Sequence, residues 1–203
     1  MVRLRLRPGQ GVNATRRHFF APAGPVGLWK TKAVLIGSGR GRRAPSRYNV
    51  AVAFVIRDFQ PEDFETLWRM DQECFPPGIS YSKQELKAYI RRRGSFTLVA
   101  RAADEDKPLG FIVVHDGSTG HVITIDVDTS ARRAGVGSSL LRAAEDRLRG
   151  SGCRAVGLET AVDNVSALSF YKRHGYNVLR TWPRYYSNGV DALVMKKVLS
   201  KDD

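Results

Sequence analysis

At 203 residues the chain suits one domain with an ordinary hydrophobic core. Its formal charge of +13 is uneven: residues 1–56 hold eleven Lys/Arg and no acid, leaving 22 basic and 20 acidic groups in the other 147 residues, a net of +2. A near-neutral domain argues against a nucleic-acid enzyme, no apolar run approaches the roughly 20 residues of a membrane span, and the lone cysteines Cys74 and Cys153 lack metal-ligand spacing and suit a reducing cytoplasm.

In chain order, residues 1–51 form a basic leader rich in Arg, Gly and Pro, with little periodicity and breaks such as Gly37-Ser-Gly-Arg-Gly-Arg-Arg43. Four readings stay open: a disordered tail, an organellar transit peptide, an arm making weak nucleic-acid or ribosome contacts, or translation upstream of a true start near Val50 or Val52. An unstructured or mis-called extension is the expectation, with the domain proper at 52–203.

Phe54-Val-Ile-Arg-Asp58 reads as a strand. Pro61-Glu-Asp opens an amphipathic helix running to Cys74. Phe75-Pro-Pro-Gly-Ile-Ser-Tyr81 breaks it, and Ser82 caps a second helix reaching about Arg92. The run Arg91-Arg92-Arg93 reads as a solvated helix end that complements the dipole. Phe96–Arg101 and Leu109–Val114 read as a hairpin around the acidic loop from Asp104 to Pro108.

The β-branched run His121-Val-Ile-Thr-Ile-Asp-Val127 predicts a third strand of this meander. After a turn, Arg132-Arg133-Ala134-Gly135-Val136-Gly137-Ser138 leads into a helix whose apolar face is Val136, Leu140, Leu141, Ala144 and Leu148. Strand, basic Gly-containing loop, helix is an anion site: the first helical turn has unpaired N–H groups, and glycines let phosphate oxygens approach the backbone. The dinucleotide fingerprint needs a third glycine where Leu140 stands, and a P-loop needs Gly-Lys-Ser/Thr, which is absent. Downstream lie a strand Ala155-Val-Gly-Leu-Glu159, a helix from Asn164 through Tyr171 to His174, and a last hairpin of 176–181 and 192–198 around Trp182-Pro-Arg-Tyr185-Tyr186-Ser-Asn-Gly189. Asn164 and Tyr171, seven apart, share a helix face over roughly 10 Å of rise and could follow an extended cofactor arm. His115, His121 and His174 show no ligand spacing and read as ordinary strand or helix-end residues, so no metal is expected.

The Arg-x-x-Gly-x-Gly loop after Asp-Val-Asp, the Leu-Glu strand, and the Asn…Ala-x-x-x-Tyr-x-x-x-Gly-Tyr ending resemble the GCN5-related N-acetyltransferases, and within them the bacterial ribosomal-protein alanine N-acetyltransferases. The resemblance covers about Phe54 to Val198. It implies a mixed α/β fold: a central, mostly antiparallel sheet with one splayed parallel strand pair, flanked by helices. It implies acetyl-CoA as cosubstrate, with its pyrophosphate held by Arg133, Ala134, Gly135, Val136, Gly137 and Ser138. Pantetheine would be held by the backbone of Ile125, Asp126 and Val127 and by Asn164.

The same resemblance implies Glu159 as general base and Tyr171 as the acid that protonates the departing thiolate, after direct attack of an amine on the thioester. It implies Phe75, Pro76 and Tyr81 as one wall of a peptide site, against the plain alternative of an interhelical turn. It implies Tyr185 and Tyr186 as a substrate loop, against simple hairpin packing. The expected acceptor is a protein N-terminal α-amine, of the ribosomal alanine type by subfamily resemblance. An ε-lysine or small-amine enzyme is the alternative within the class, and a non-catalytic CoA-binding or ribosome-associated module the alternative outside it.

Overall fold

A computed structural model describes residues 2–3, 53–75, 80–105 and 107–199. The readings made for the rest of the leader, for Pro76 and for part of the acidic loop fall outside the described residues. The strands are β1 (Val2–Arg3), β2 (Phe54–Asp58), β3 (Ser95–Ala102), β4 (Pro108–His115), β5 (Gly120–Val127), β6 (Ala155–Ala161), β7 (Asn177–Trp182) and β8 (Ala192–Val198). The helices are α1 (Phe64–Cys74), α2 (Lys83–Arg91), α3 (Val136–Gly150) and α4 (Val165–Arg173).

The main sheet runs β2-β3-β4-β5-β6-β8-β7. Every neighbouring pair is antiparallel except β5 and β6, which are parallel and joined through α3, as a crossover requires. That parallel pair is short: Gly120 faces Val156, His121 faces Gly157, and no further pairing follows. The two strands therefore diverge toward their C-terminal ends, which is the splay the resemblance implied.

Alternation along the strands builds two cores. Val99, Phe111, Val113 and Ile123 pack with Leu67, Met70 and Cys74 of α1 and Leu86 of α2. Leu98, Ile112, Val114, Val122 and Ile125 pack with Val136, Leu140, Leu141, Ala144 and Leu148 of α3 and with Ala167 and Tyr171 of α4. Each fully buried Leu or Val contributes roughly 1.5–3 kcal/mol, so the α3 stripe alone holds that helix firmly on the sheet. An irregularity in the β4–β5 register lets Ile123 face α1 while Ile125 faces α3. Thr124 and Asp126 then share one face, and the Thr124 hydroxyl donates to Asp126 Oδ2 at 2.9 Å.

Local chemistry accounts for the helix ends. Ser82 caps α2 in a capping box: its side chain accepts from Glu85 N–H, and Glu85 returns a bond to the Ser82 N–H. The turn before α1 is anchored by Asp63, which takes a bidentate pair from Arg57 at 2.8 Å and a third contact from Arg101 at 3.2 Å. The Arg91–Arg93 run is exposed at the end of α2, as read.

Candidate active site

The anion loop takes the expected form. Gly135 is the residue before α3, with φ +87°, and no side chain caps that helix end. The first-turn N–H groups are thus left for an acceptor from outside. Nothing lies within 4 Å of where a Gly135 Cβ would stand, so glycine is required there by its backbone angle and not by crowding. Arg133 also has positive φ, 64°, an unusual conformation for a side-chain-bearing residue at a ligand loop. Arg132 folds back instead, its Nε donating to the Val127 carbonyl at 3.2 Å and its guanidinium reaching Cys74 Sγ at 3.6 Å.

Val2 and Arg3 pair antiparallel with Ile125 and Thr124. Pantetheine using the Ile125 backbone would need that edge, so the pairing and the cosubstrate exclude each other there. Asn164 is the cap of α4 and not a residue within it; its side-chain oxygen accepts from the Ala167 N–H at 3.0 Å. Its amide nitrogen and the second lone pair of that oxygen are left to reach an arm.

Tyr171 lies fully buried in α4, and its hydroxyl has no partner among the described residues. An unpaired buried hydroxyl costs about 1–3 kcal/mol unless an outside group meets it. Burial, reinforced by the charges of Asp126 and Tyr186, pushes the hydroxyl well above an ordinary tyrosine. It therefore stays protonated at neutral pH, as a proton donor must. Its ring is wedged between Phe170 and Tyr176, with centroids 5.3 and 5.2 Å away. Tyr176 in turn donates to the buried Glu145 at 3.0 Å, which also takes Lys197 Nζ at 2.7 Å.

Glu159 is buried on β6 just past the last β5–β6 pair. Its Oε2 stands 3.2 Å from His121 Nε2, and neither atom has an aligned hydrogen-bond partner among the described residues. Spacing did not single out His121. It stands beside Gly157 across the parallel pair, and from there its ring reaches Glu159. The only signal in the sequence was a histidine opening the central strand, which is too common to carry weight.

On the expected acceptor side, Phe75 and Tyr81 are buried and belong to the α1–α2 core. In the final loop, Tyr186 is buried and Tyr185 half-buried. The reason is that the loop folds on itself. Tyr186 N–H donates to the Val190 carbonyl, Arg184 N–H to Asp191 Oδ1, and Val162 N–H to the Asp191 carbonyl, which ties the loop to the end of β6. Trp182 then stacks on Tyr185 with centroids 5.4 Å apart, and Tyr186 meets Tyr185 edge-on at 5.2 Å. Cys74 has its thiol pushed up to about 11, first by burial and then by Asp126, and is no nucleophile. Cys153 is likewise buried and raised.

The family model of the GNAT acetyltransferases matches residues 64–176, which include the anion loop, Glu159 and Tyr171. This chain belongs to that family. The family's activity makes it an acetyl-CoA-dependent N-acetyltransferase, and the uncapped α3 terminus, Gly135 and the unpartnered Tyr171 hydroxyl fit acetyl-CoA as the acyl donor. N-alpha-acetyltransferase 30 of Schizosaccharomyces pombe is 33% identical over 118 residues, which are 55% of this chain and 77% of that protein. An uncharacterised N-acetyltransferase of Methanocaldococcus jannaschii is 29% identical over 145 residues, 70% of this chain and 90% of that one. Ard1 from Thermoplasma volcanium superposes with a TM-score of 0.68 at 30% identity, covering 74% of this chain and all of that chain. The ribosomal-protein-S18-alanine N-acetyltransferase of Escherichia coli has a TM-score of 0.65 at 20% identity over 74% of this chain and 96% of its own, a likeness of fold alone. Among the described residues no group of three metal-binding side chains is present, and no helix is long and apolar enough to cross a membrane.

Proposed function

We propose that the acceptor is the α-amine of a protein N-terminus. The observation that carries this reading is the Glu159–His121 contact where β5 and β6 begin to part, in a protein whose buried Tyr171 hydroxyl has no partner among the described residues. An incoming ammonium must lose a proton before it can attack, and α-amines titrate near about 8 against about 10.4 for lysine, within easier reach of a carboxylate. Glu159 takes that proton, directly or through a water. The Glu159 side chain is 4% exposed and that of His121 25%, so the imidazole links the buried base to solvent and offers the proton a way out.

Acetyl-CoA supplies the thioester whose carbonyl carbon is attacked. Arg133 to Ser138 would hold its pyrophosphate, while Ile125–Val127 and Asn164 would hold its arm. Tyr171 gives its proton to the departing sulfur, and its raised pKa ensures that the proton is there to give. Phe75 and Tyr81 on one side, and Tyr185 and Tyr186 on the other, would flank the incoming chain. The likeness to N-alpha-acetyltransferase 30 supports this class; an alanine-starting ribosomal protein rests on the subfamily resemblance. We also propose a cytoplasmic enzyme whose domain, 52–203, works apart from the basic leader, with any nucleic-acid contact confined to that leader.

The test is acetyl-CoA consumption with Ala-, Met- and Ser-starting peptides, set against the same peptides N-terminally blocked but carrying free lysine, for the full chain and the domain from Val52. Turnover confined to free α-amines is expected. Turnover on blocked lysine peptides moves the enzyme to the lysine class, and tight acetyl-CoA binding without turnover on any peptide would reduce it to a binding module.

A further inference from the structure

The buried face of α1 is Leu67, Met70, Asp71 and Cys74, and one of these four is a carboxylate that is fully buried. An acid at an apolar stripe position destabilises the fold unless it is closely hydrogen-bonded, so its bonds indicate why it is there. Asp71 Oδ2 accepts from the Tyr81 N–H at 2.7 Å and from Gln72 Nε2 at 3.0 Å. The Tyr81 carbonyl is held as well, by Gln72 Nε2 at 2.8 Å and Trp68 Nε1 at 3.1 Å. At the other end of the same segment, the Phe75 N–H donates to the Asp71 carbonyl at 3.1 Å. One residue therefore fastens both ends of the stretch from Phe75 to Tyr81, its main chain one end and its side chain the other.

We propose that Asp71 is a positioning residue that sets the acceptor's first-residue preference by fixing where Phe75 and Tyr81 stand. This rests on the reading of Phe75 and Tyr81 as a wall of the acceptor site. A helix of this length needs no acid on its buried face, and the apolar contacts of Leu67, Met70 and Cys74 already bind α1 to the sheet. The carboxylate adds placement. Its bond to Tyr81 is charge-assisted and short, and Tyr81 passes the constraint to Tyr89, whose ring meets it edge-on at 5.1 Å. Phe75 and Tyr81 held in place discriminate between first residues; loosened, they accept them more evenly and hold each less well.

The test is Asp71→Asn, with Gln72→Leu/Trp68→Phe as a second variant that removes the donors to the Tyr81 carbonyl and leaves the carboxylate intact. Each is assayed with the Ala-, Met- and Ser-starting peptides, alongside the acetyl-CoA dissociation constant. Loss of a charge-assisted bond corresponds to about tenfold or more, expected as a rise in KM for the preferred peptide and a narrower spread between first residues. kcat at saturation and acetyl-CoA affinity should stay close to wild type. If Asp71→Asn does not fold, the second variant gives the same readout. Unchanged KM values and ranking in a folded variant would overturn the proposal, as would a loss falling equally on kcat and on acetyl-CoA binding. If the wild type acts only on blocked lysine peptides, the α-amine reading fails, and the same KM comparison on those peptides decides the role of Asp71.

Discussion

The two sides of the splay are built from different materials. The donor side is main chain: the uncapped α3 terminus, Gly135 at φ +87°, and the edge of β5, all backed by the larger core of α3 and α4. The proposed acceptor side is side chains whose main chain is held by other side chains: Asp71, Gln72 and Trp68 bond the Tyr81 N–H and carbonyl, and Asp191 bonds the Arg184 N–H of the Tyr185–Tyr186 loop. Backbone is the same in every sequence, so the donor side can serve one invariant ligand. Side chains can be exchanged one at a time, so the acceptor side is where specificity can change without loss of the fold.

The sharpest way to break this comparison is at the chemistry between the two sides. Tyr171→Phe should lower turnover by about 10²–10⁴-fold, the usual worth of a positioned acid, while acetyl-CoA affinity measured by calorimetry stays near wild type. A parallel loss of affinity would make Tyr171 part of the donor site's packing instead. Glu159→Gln should cost about 10²-fold, most at low pH where the amine is protonated and least at high pH where free amine is abundant. A loss uniform across the pH–rate profile would make Glu159 a positioning group.

The acceptor side also has an anchor of its own, Asp63, buried between Arg57 and Arg101 at the start of α1. Burial works against its charged form, yet the Arg57 hydrogen bonds, the Gln60 N–H and the charges of both arginines hold its carboxyl below the ordinary range. The stabilisation is therefore present above the unfolded carboxylate pKa of about 3.9 and is lost as pH falls through the lower folded value. Asp63→Asn should cost roughly 2–3 kcal/mol near pH 7, under the 3–5 of a fully buried pair because Arg57 is partly exposed. The difference between variant and wild type in denaturant titrations should shrink toward pH 3, and a constant difference would show that shape matters more than charge. The smallest effect expected is at the donor loop. Gly135→Val forces a β-branched residue into positive φ at about 1–2 kcal/mol, which should weaken acetyl-CoA binding about tenfold and leave peptide ranking unchanged.

What was legible in the sequence follows the same division. The anion loop is contiguous, from Arg132 to Ser138, and its chemistry depends on glycines and a helix start that can be read locally. The strands and helices were legible too, because period-two and period-3.6 apolar patterns say which faces are buried; the splayed parallel pair was an expectation of the family resemblance. The His121–Glu159 contact was not: it joins two strands brought together only by the α3 crossover, and the histidine alone looked ordinary. Asp71 was hidden for a similar reason, since an acid inside an amphipathic run reads as part of the polar face until its partner, ten residues on, is seen beside it.

The final loop shows the limit most clearly. Its composition marked it as aromatic and polar; in the structure the bonds to Asp191 and from the Tyr186 N–H to the Val190 carbonyl close the loop, and Tyr186 is buried. The sequence by itself determined the elements and the Gly-containing loop before α3, because those depend on periodicity and on backbone groups that every residue carries. The tertiary structure alone decided which carboxylate meets which imidazole, which tyrosine is buried and which acid fastens the acceptor wall. Those pairings join residues brought together by strand register and helix packing, and local sequence holds no record of the distance between them.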